Sequence, residues 1–171
     1  LLLGQGAIEG FEFDLVMSPN ESIDLAISGL FMDPIYDSFI NSSSGDLTGT
    51  IPSNISKNTI SSSVTWNWNY DNWDGYLRLN HLYASEAKLL EDPAWQTILE
   101  SAGNGIKTQD TMNFSAGIEK DNLSIMIWGK NINDDKYLYS AFPAVADPTF
   151  TTFFGYPNAY TSYGVTVNYT F

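Results

Sequence analysis

The residues of this chain that could do chemistry are few. His81 is the sole imidazole and there is no cysteine, so a nucleophilic site would have to run through that one ring and one of many serines. The missing thiols also remove disulfides and thiolate metal sites. Glu12 and Asp14 stand two positions apart; a carboxylate pair can hydrolyse glycosides, but on a strand this spacing reads more simply as an acidic strip along one face. Asn131-Ile132-Asn133-Asp134-Asp135 sets oxygen ligands at alternate positions, as a calcium loop would. Its sixth position lacks glycine and its twelfth is Phe142, so an EF-hand is excluded, and turn residues at a strand end are the simpler account. Trp66, Trp68, Trp73 and Tyr76 could stack against a sugar or form an aromatic girdle at a membrane interface. The expectation is a protein that is not an enzyme and carries no cofactor or metal.

Composition narrows the class further. Seven Lys plus Arg against twenty Asp plus Glu give a net charge of −13, which speaks against nucleic acid as a partner because phosphates would go unneutralised. The acidic residues Asp33, Asp37, Asp46, Glu86, Glu91, Asp92, Glu100, Asp134, Asp135 and Asp147 fall in the long loops defined below, where they could steer a cation, repel an anion or be solvated charge. A mean hydropathy of −0.15 excludes a bundle of membrane helices. It leaves a membrane barrel open, since only alternate barrel residues meet lipid. Aromatic residues make up 15% of the chain, as suits a barrel with two ringed interfaces, although a carbohydrate-binding sandwich could look similar. No basic segment with an apolar core opens the sequence, so Leu1-Leu2-Leu3-Gly4 reads as the middle of something longer.

The elements that must position these residues are strands. Residues 159–171 alternate strictly, with Tyr163, Val165, Val167, Tyr169 and Phe171 against Gly164, Thr166, Asn168 and Thr170. The same period of two predicts strands near 7–18, 22–31, 58–70, 75–85, 108–119 and 123–131. Connections alternate between three or four residues and more than twenty, three times over. The long ones are 32–57, 86–107, with a short helix from Pro93 to Ala102, and 132–158. A soluble sandwich has no reason to gather short turns at one end and long loops at the other, whereas an outer-membrane barrel does so, with short turns in the periplasm and long loops outside.

Charge follows the same division. Glu12, Asp14, Asp24, Arg78, Glu119 and Lys130 all fall opposite the apolar row and are expected to face a lumen. A basic residue on the lipid side at mid-depth would cost about 2–4 kcal/mol. His81 is the misfit, aimed at lipid by strict alternation unless a bulge or a place near the interface accommodates it. With Phe171 at the periplasmic end, the first strand descends from outside and residues 1–6 belong to the outer rim. An odd strand number suits the C-terminal portion of a larger barrel, since single-chain bacterial barrels have even counts.

Four stretches resemble TonB-dependent outer-membrane receptors. Ile8-Glu9-Gly10-Phe11-Glu12-Phe13 resembles the family's G-x-E-x-x strand. Asp46-Leu47-Thr48-Gly49 with Ile51-Pro52-Ser53-Asn54 is similar to its loop before a descending strand. Lys130 to Tyr137 is similar to its N-[LI]-x-D-x-x-Y motif, with Asn131, Asp134 and Tyr137 at the key positions, and 163–171 resembles its closing strand. The resemblance implies that 1–171 is all-β, about seven C-terminal strands of an antiparallel transmembrane barrel of about twenty-two, without the plug domain. It implies uptake of an iron-siderophore, cobalamin or carbohydrate, driven by the TonB complex through the missing N-terminal part. Implied partners are outer-membrane lipid and lipopolysaccharide, a small nutrient ligand, and assembly machinery that reads Tyr163, Val165, Val167, Tyr169 and Phe171. The rival readings are a small passive or structural barrel and a soluble, aromatic-rich carbohydrate-binding β-sandwich.

Overall fold

A computed structural model describes residues 4–144, 146–147 and 151–171. Residues 1–3, expected at the outer rim, and 145 and 148–150 of the third long loop lie outside the described residues. The strands are β1 (Gly4–Asn20), β2 (Ile23–Asn41), β3 (Gly45–Asp46), β4 (Asn58–Tyr70), β5 (Trp73–Lys88), β6 (Ile106–Lys120), β7 (Leu123–Lys130), β8 (Leu138–Pro143), β9 (Phe153–Pro157) and β10 (Ser162–Tyr169), with a helix α1 (Pro93–Ser101) between β5 and β6. Seven of them form one antiparallel meander in the order β1-β2-β4-β5-β6-β7-β10, β3 pairs with the far end of β2, and β8 and β9 form a separate hairpin.

Two stretches expected as loop are strand. β2 runs ten residues past the predicted end at 31, to Asn41. It does so because β1 keeps pairing with it up to Gly4 opposite Phe39, through a bulge at Gln5/Gly6. The backbone groups of 32–41 are thereby satisfied although the side-chain pattern no longer alternates cleanly. β8 and β9 lie inside the third long loop and pair with each other. The short turns follow local chemistry. Asp71 and Asn72 both take positive φ, 49° and 61°, the conformation that closes a two-residue hairpin without splaying its strands. At the first turn, Asn20 Oδ1 accepts from Ser22 N at 2.9 Å.

The register divides every strand into two faces. Met17, Leu25, Val64, Leu79, Phe114, Gly129 and Tyr163 are successive partners in one row across all seven strands. The adjacent row, Asp24, Thr65, Arg78, Ser115, Trp128 and Gly164, lies on the opposite face. Nothing covers the apolar face: Phe11 is 63% exposed, Leu79 46% and Val165 66%. The buried hydrophobic residues, Leu47, Ala87, Leu89, Leu90, Leu99, Ala141 and Ala144, all sit in or beside the long loops. At roughly 2 kcal/mol per large side chain left in water, one such row alone forgoes on the order of 10 kcal/mol. A sheet of this kind has no core of its own. Among the described residues no helix is long and apolar enough to cross a membrane, so a membrane would have to be crossed by the strands.

His81 stays on the apolar face without a bulge. It lies opposite Ser62 and Met112 in continuous register, and the irregularity of β5 comes later, between Ala84 and Ala87. Its Nε2 lies 2.7 Å from Asp110 Oδ1. On the same face Glu9 pairs in register with Asp33, which is bridged by Lys57. The imidazole shares its row with Leu15, Ile27 and Met112, and Phe13, Ile60 and Tyr83 of the same face lie beyond it toward the loops. Its partner Asp110 stands in that next row, and the Glu9–Asp33 pair two rows further on.

Leu79→Lys, in the middle of the apolar row, should destabilise the full-length protein in lipid vesicles by about 2–4 kcal/mol. Asn80→Lys, its neighbour on the other face, should change stability by no more than about 0.5 kcal/mol. Urea unfolding followed by heat-modifiable gel mobility measures both, and equal effects would mean that the two faces do not meet different solvents.

Candidate functional site

The polar face carries the residues that sequence alone aimed at a lumen. Glu12 stands opposite Leu30 and Asp14 opposite Ser28, Asp24 and Arg78 both flank Thr65, Glu119 faces Asp74 and Ser124, and Lys130 faces Ser162. All six share this face, but they are not one cluster. Asp24 accepts from Ser18 Oγ at 2.7 Å and from Asn67 Nδ2 at 2.8 Å. Arg78 Nε donates to Asn80 Oδ1 at 3.0 Å. Toward the short turns the face hollows into a cavity of about 700 Å³ lined by Glu21, Asn67, Asp74, Tyr76, Glu119 and Asn168 among others. Between these charges lie Ser61, Ser63, Asn113 and Ser115, so most of the face is neutral amide and hydroxyl, able to exchange hydrogen bonds with water or a polar occupant.

The upper corner of the sheet is held by one asparagine. β7 ends at Lys130, level with Asn113 and seven residues short of Ile106 at the far end of its partner β6, and would leave that edge of β6 unpaired. Asn131 is 3% exposed and takes a positive φ of 49°, which Asn tolerates better than most residues. Its Nδ2 donates to the carbonyls of Asp135 at 2.9 Å and Ala159 at 3.0 Å, and its Oδ1 accepts from Asp135 N at 2.9 Å. Its backbone carbonyl accepts from Thr161 Oγ1 at 2.6 Å. The reversal so formed caps β6 with side chains: Met112 N donates to Asn133 Oδ1 at 2.9 Å and Asp110 N to Asp135 Oδ2 at 2.8 Å. The oxygens that suggested a calcium loop therefore accept from backbone amides. Among the described residues no group of three or more His, Cys, Asp or Glu could hold a metal ion.

Asp134 and Tyr137, the other motif positions, do different work. Asp134 takes φ 54° and bonds Lys136 at 2.7 Å, which holds its carboxyl below the usual range and raises the lysine. Burial, and then Asp135, push the Tyr137 hydroxyl up. Gly10 lies where a Cβ would press on the Phe31 carbonyl, so the strand pair closes there only without a side chain. In β10, Tyr163, Val165, Val167 and Tyr169 stay on the apolar face, while Phe171 lies past the strand, fully exposed, its ring edge-on to Tyr169 at 5.2 Å. Beyond β7, β10 has no strand partner among the described residues, and β1 has none beyond β2.

The long loops form a body of their own, which periodicity did not reveal. Asp92 caps α1 through Oδ1, accepting from Ala94 N at 2.9 Å and Trp95 N at 3.1 Å, while its Oδ2 accepts from Ser44 Oγ of the first loop at 2.8 Å. Ser53 N donates to Glu91 Oε2 at 2.8 Å. Buried Gln96 receives Leu90 N and donates to Gly105 O, at 2.8 and 2.7 Å. Leu89, Leu90, Leu99 and Ala141 make a small core with Trp95, Leu138 and Phe153, joining the second loop to the β8–β9 hairpin. The opposite side of that hairpin shows Phe142, Phe154 and Tyr156, ring centroids 5.5 and 5.8 Å apart. The apolar and aromatic run Leu138-Tyr139-Ser140-Ala141-Phe142, which does not alternate, carried no period-two signal for it.

No family model matches this chain, and no curated protein matches it. A crystal structure of the ferric yersiniabactin uptake receptor FyuA from Yersinia pestis superposes on 98% of it with a TM-score of 0.76 at 14% sequence identity. The chain has the fold of that stretch of FyuA. It spans about a quarter of the length of that receptor, 24%. The architecture is thus all-β, an antiparallel sheet that matches part of a barrel and is open at β1 and β10.

Asn131→Ala should lower stability by on the order of 2–4 kcal/mol, since it orphans buried backbone groups that each cost about 1–3 kcal/mol. Hydrogen exchange should quicken at Met112 and Asp135 while the short turns keep their protection. Unchanged exchange at those amides would remove the capping role.

Proposed function

We propose that this chain is the C-terminal part of the barrel of a TonB-dependent receptor, which takes up a scarce nutrient across a Gram-negative outer membrane. The observation that carries the reading is the uncovered apolar face, continuous across seven strands with a polar face behind it. A soluble sandwich would bury that face against a second sheet, and none exists among the described residues. Lipid is the remaining solvent for it. The motif resemblances and the fold shared with an uptake receptor support the step from barrel to receptor. On this reading the polar face lines the lumen, the long loops are extracellular, and the ligand is a small nutrient, an iron-siderophore before cobalamin or carbohydrate. The contact with the TonB complex belongs to parts of the protein outside this chain.

The test is iron uptake by the full-length protein in cells with and without a working energy complex, using ferric chelates as substrate, with epitope tags at Ser43 and Gly103. Uptake should require the energy complex, and both tags should bind antibody on intact cells. Diffusive uptake that ignores the complex would turn the reading into a passive pore, and tags reached only after permeabilisation would invert the topology.

Deleting Phe171 should impair assembly more than ligand binding. Among the aromatic rings of the described residues it touches only Tyr169, yet it lies directly past the strand that, on this reading, must pair with the rest of the barrel. Backbone groups left unpaired in hydrocarbon cost several kcal/mol each. Heat-modifiable mobility and outer-membrane yield of the full-length receptor should both fall; normal yield with lost uptake would give Phe171 a direct role in transport instead.

A further inference from the structure

The cations of this acidic chain are sorted by face. Of the seven Lys and Arg, Lys57 bridges Asp33, Lys88 lies 3.7 Å from Glu91 and Lys136 lies 2.7 Å from Asp134. Lys120 reaches the Asp71 carbonyl at the short-turn end. Like Lys120, which lies over the Trp73 ring at the short-turn end instead, the other three, Arg78, Lys107 and Lys130, have no carboxylate within ion-pair distance among the described residues. All three belong to the polar face. Arg78 is in the row of Ser115, Lys130 faces Ser162, and Lys107 follows Gln109, Thr111 and Asn113 at alternate positions along β6.

They form a column toward the loops. Arg78 is two strands and one row from Lys130, and Lys107 is six residues beyond Asn113, a rise of roughly 20 Å at strand spacing. Aromatic rings accompany the column. Lys130 Nζ lies 5.4 Å over the Trp128 ring and Lys107 Nζ 5.4 Å over Tyr139, with the Tyr137 hydroxyl beside Thr111. Trp128 lies flat because its partner is Gly164, where a Cβ would collide with the indole. The acids of this face are elsewhere: Glu12 and Asp14 on β1, Asp24 on β2, Asp74 and Glu119 at the short turns. Asp135, bonded to Thr111 of the same strand edge, is engaged by Asp110 N and Thr111 Oγ1.

In a chain of net charge −13, leaving three cations unneutralised on one track makes that track the place where an anion is favoured. Lysines over rings add flat surfaces on which a planar group stacks. Resting on the receptor reading above, we infer that the ligand is a small anion bearing aromatic rings, received along Lys107, Tyr139, Tyr137, Lys130 and Trp128. A neutral aliphatic ligand would leave the cations uncompensated and the rings unused.

The experiment uses the full-length receptor with two probes that deliver the same metal: a ferric tris-catecholate, anionic and aromatic, and a ferric tris-hydroxamate, neutral and aliphatic. The catecholate should bind and enter at lower concentration. Lys107→Gln and Lys130→Gln should each raise its half-saturating concentration roughly tenfold, the weight of one charge-assisted contact. Lys130→Arg should restore most of the loss, and Lys57→Gln, on the other face, should change nothing. Equal or better use of the hydroxamate, or unchanged half-saturation in both glutamine variants, would overturn the inference and leave the receptor reading intact. Reduced folded yield with unchanged half-saturation would also overturn it, assigning the lysines to acidic groups packed inside the barrel. Uptake of neither chelate would overturn iron transport and this inference together.

Discussion

Everything in this structure depends on the lateral pairing of backbone groups between strands that carry an apolar row on one face and a polar row on the other. The seven-strand meander has no layer packed on it, so neither face stabilises the sheet by contact with protein. What holds a strand is its two neighbours, and what aligns it is the penalty for turning an apolar row toward water. A one-residue slip of β5 would carry Leu77 and Leu79 to the polar face and Arg78 to the other. On the barrel reading, with a charge on the lipid side costing about 2–4 kcal/mol and each large apolar residue about 2 kcal/mol in water, such a slip is prohibitive. Register is set by solvent, and hydrogen bonding follows.

The same constraint explains where capping chemistry is concentrated. Inside the sheet each amide has a partner by geometry, so side chains there need not serve the backbone. At the loop end the strands have unequal lengths, and amides of β6 emerge beside a strand that has already ended. Asn133 and Asp135 supply the missing acceptors, and Asn131 fixes the reversal that brings them there. A conformation with left-handed backbone at Asn131 and Asp134 costs energy for non-glycine residues. It is retained because the alternative is several unpaired buried groups. Carboxylates and amides spaced like metal ligands are here acceptors for the protein's own amides.

How much of this was legible in the residues varies with the physical origin of each feature. Strands β4 to β7 and β10 were readable because their side chains alternate between two solvents, and period two is the direct imprint of that. β2 past Phe31 was not, because 32–41 is held by backbone pairing to β1 while its side chains meet neither solvent cleanly. The helix could be read from Pro93 at its first turn. Its cap Asp92 could not be assigned its second partner, since the contact with Ser44 spans 48 residues and no local pattern encodes it. The six charged residues share one face in the register, the face opposite the apolar row, as parity alone has them. Their grouping was hidden, because neighbourhood across strands depends on register, which a single strand does not carry.

The loop body gives the polar face a rigid entrance. Were the three loops independent, each would carry its own ordering entropy, and on the receptor reading a ligand would have to order them on binding. Here one carboxylate does two things: Asp92 caps α1, worth about 1 kcal/mol, and ties that helix to the first loop. Leu89, Leu90, Leu99 and Ala141 then tie it to the β8–β9 hairpin. The ordering is therefore completed during folding. Tyr139, on the hairpin carried by this body, reaches Lys107 of β6, so the loops are pinned to the polar face of the sheet at the point where the basic column begins. A recognition surface divided between loops and strands keeps its geometry only if the two cannot drift apart, and this contact joins them.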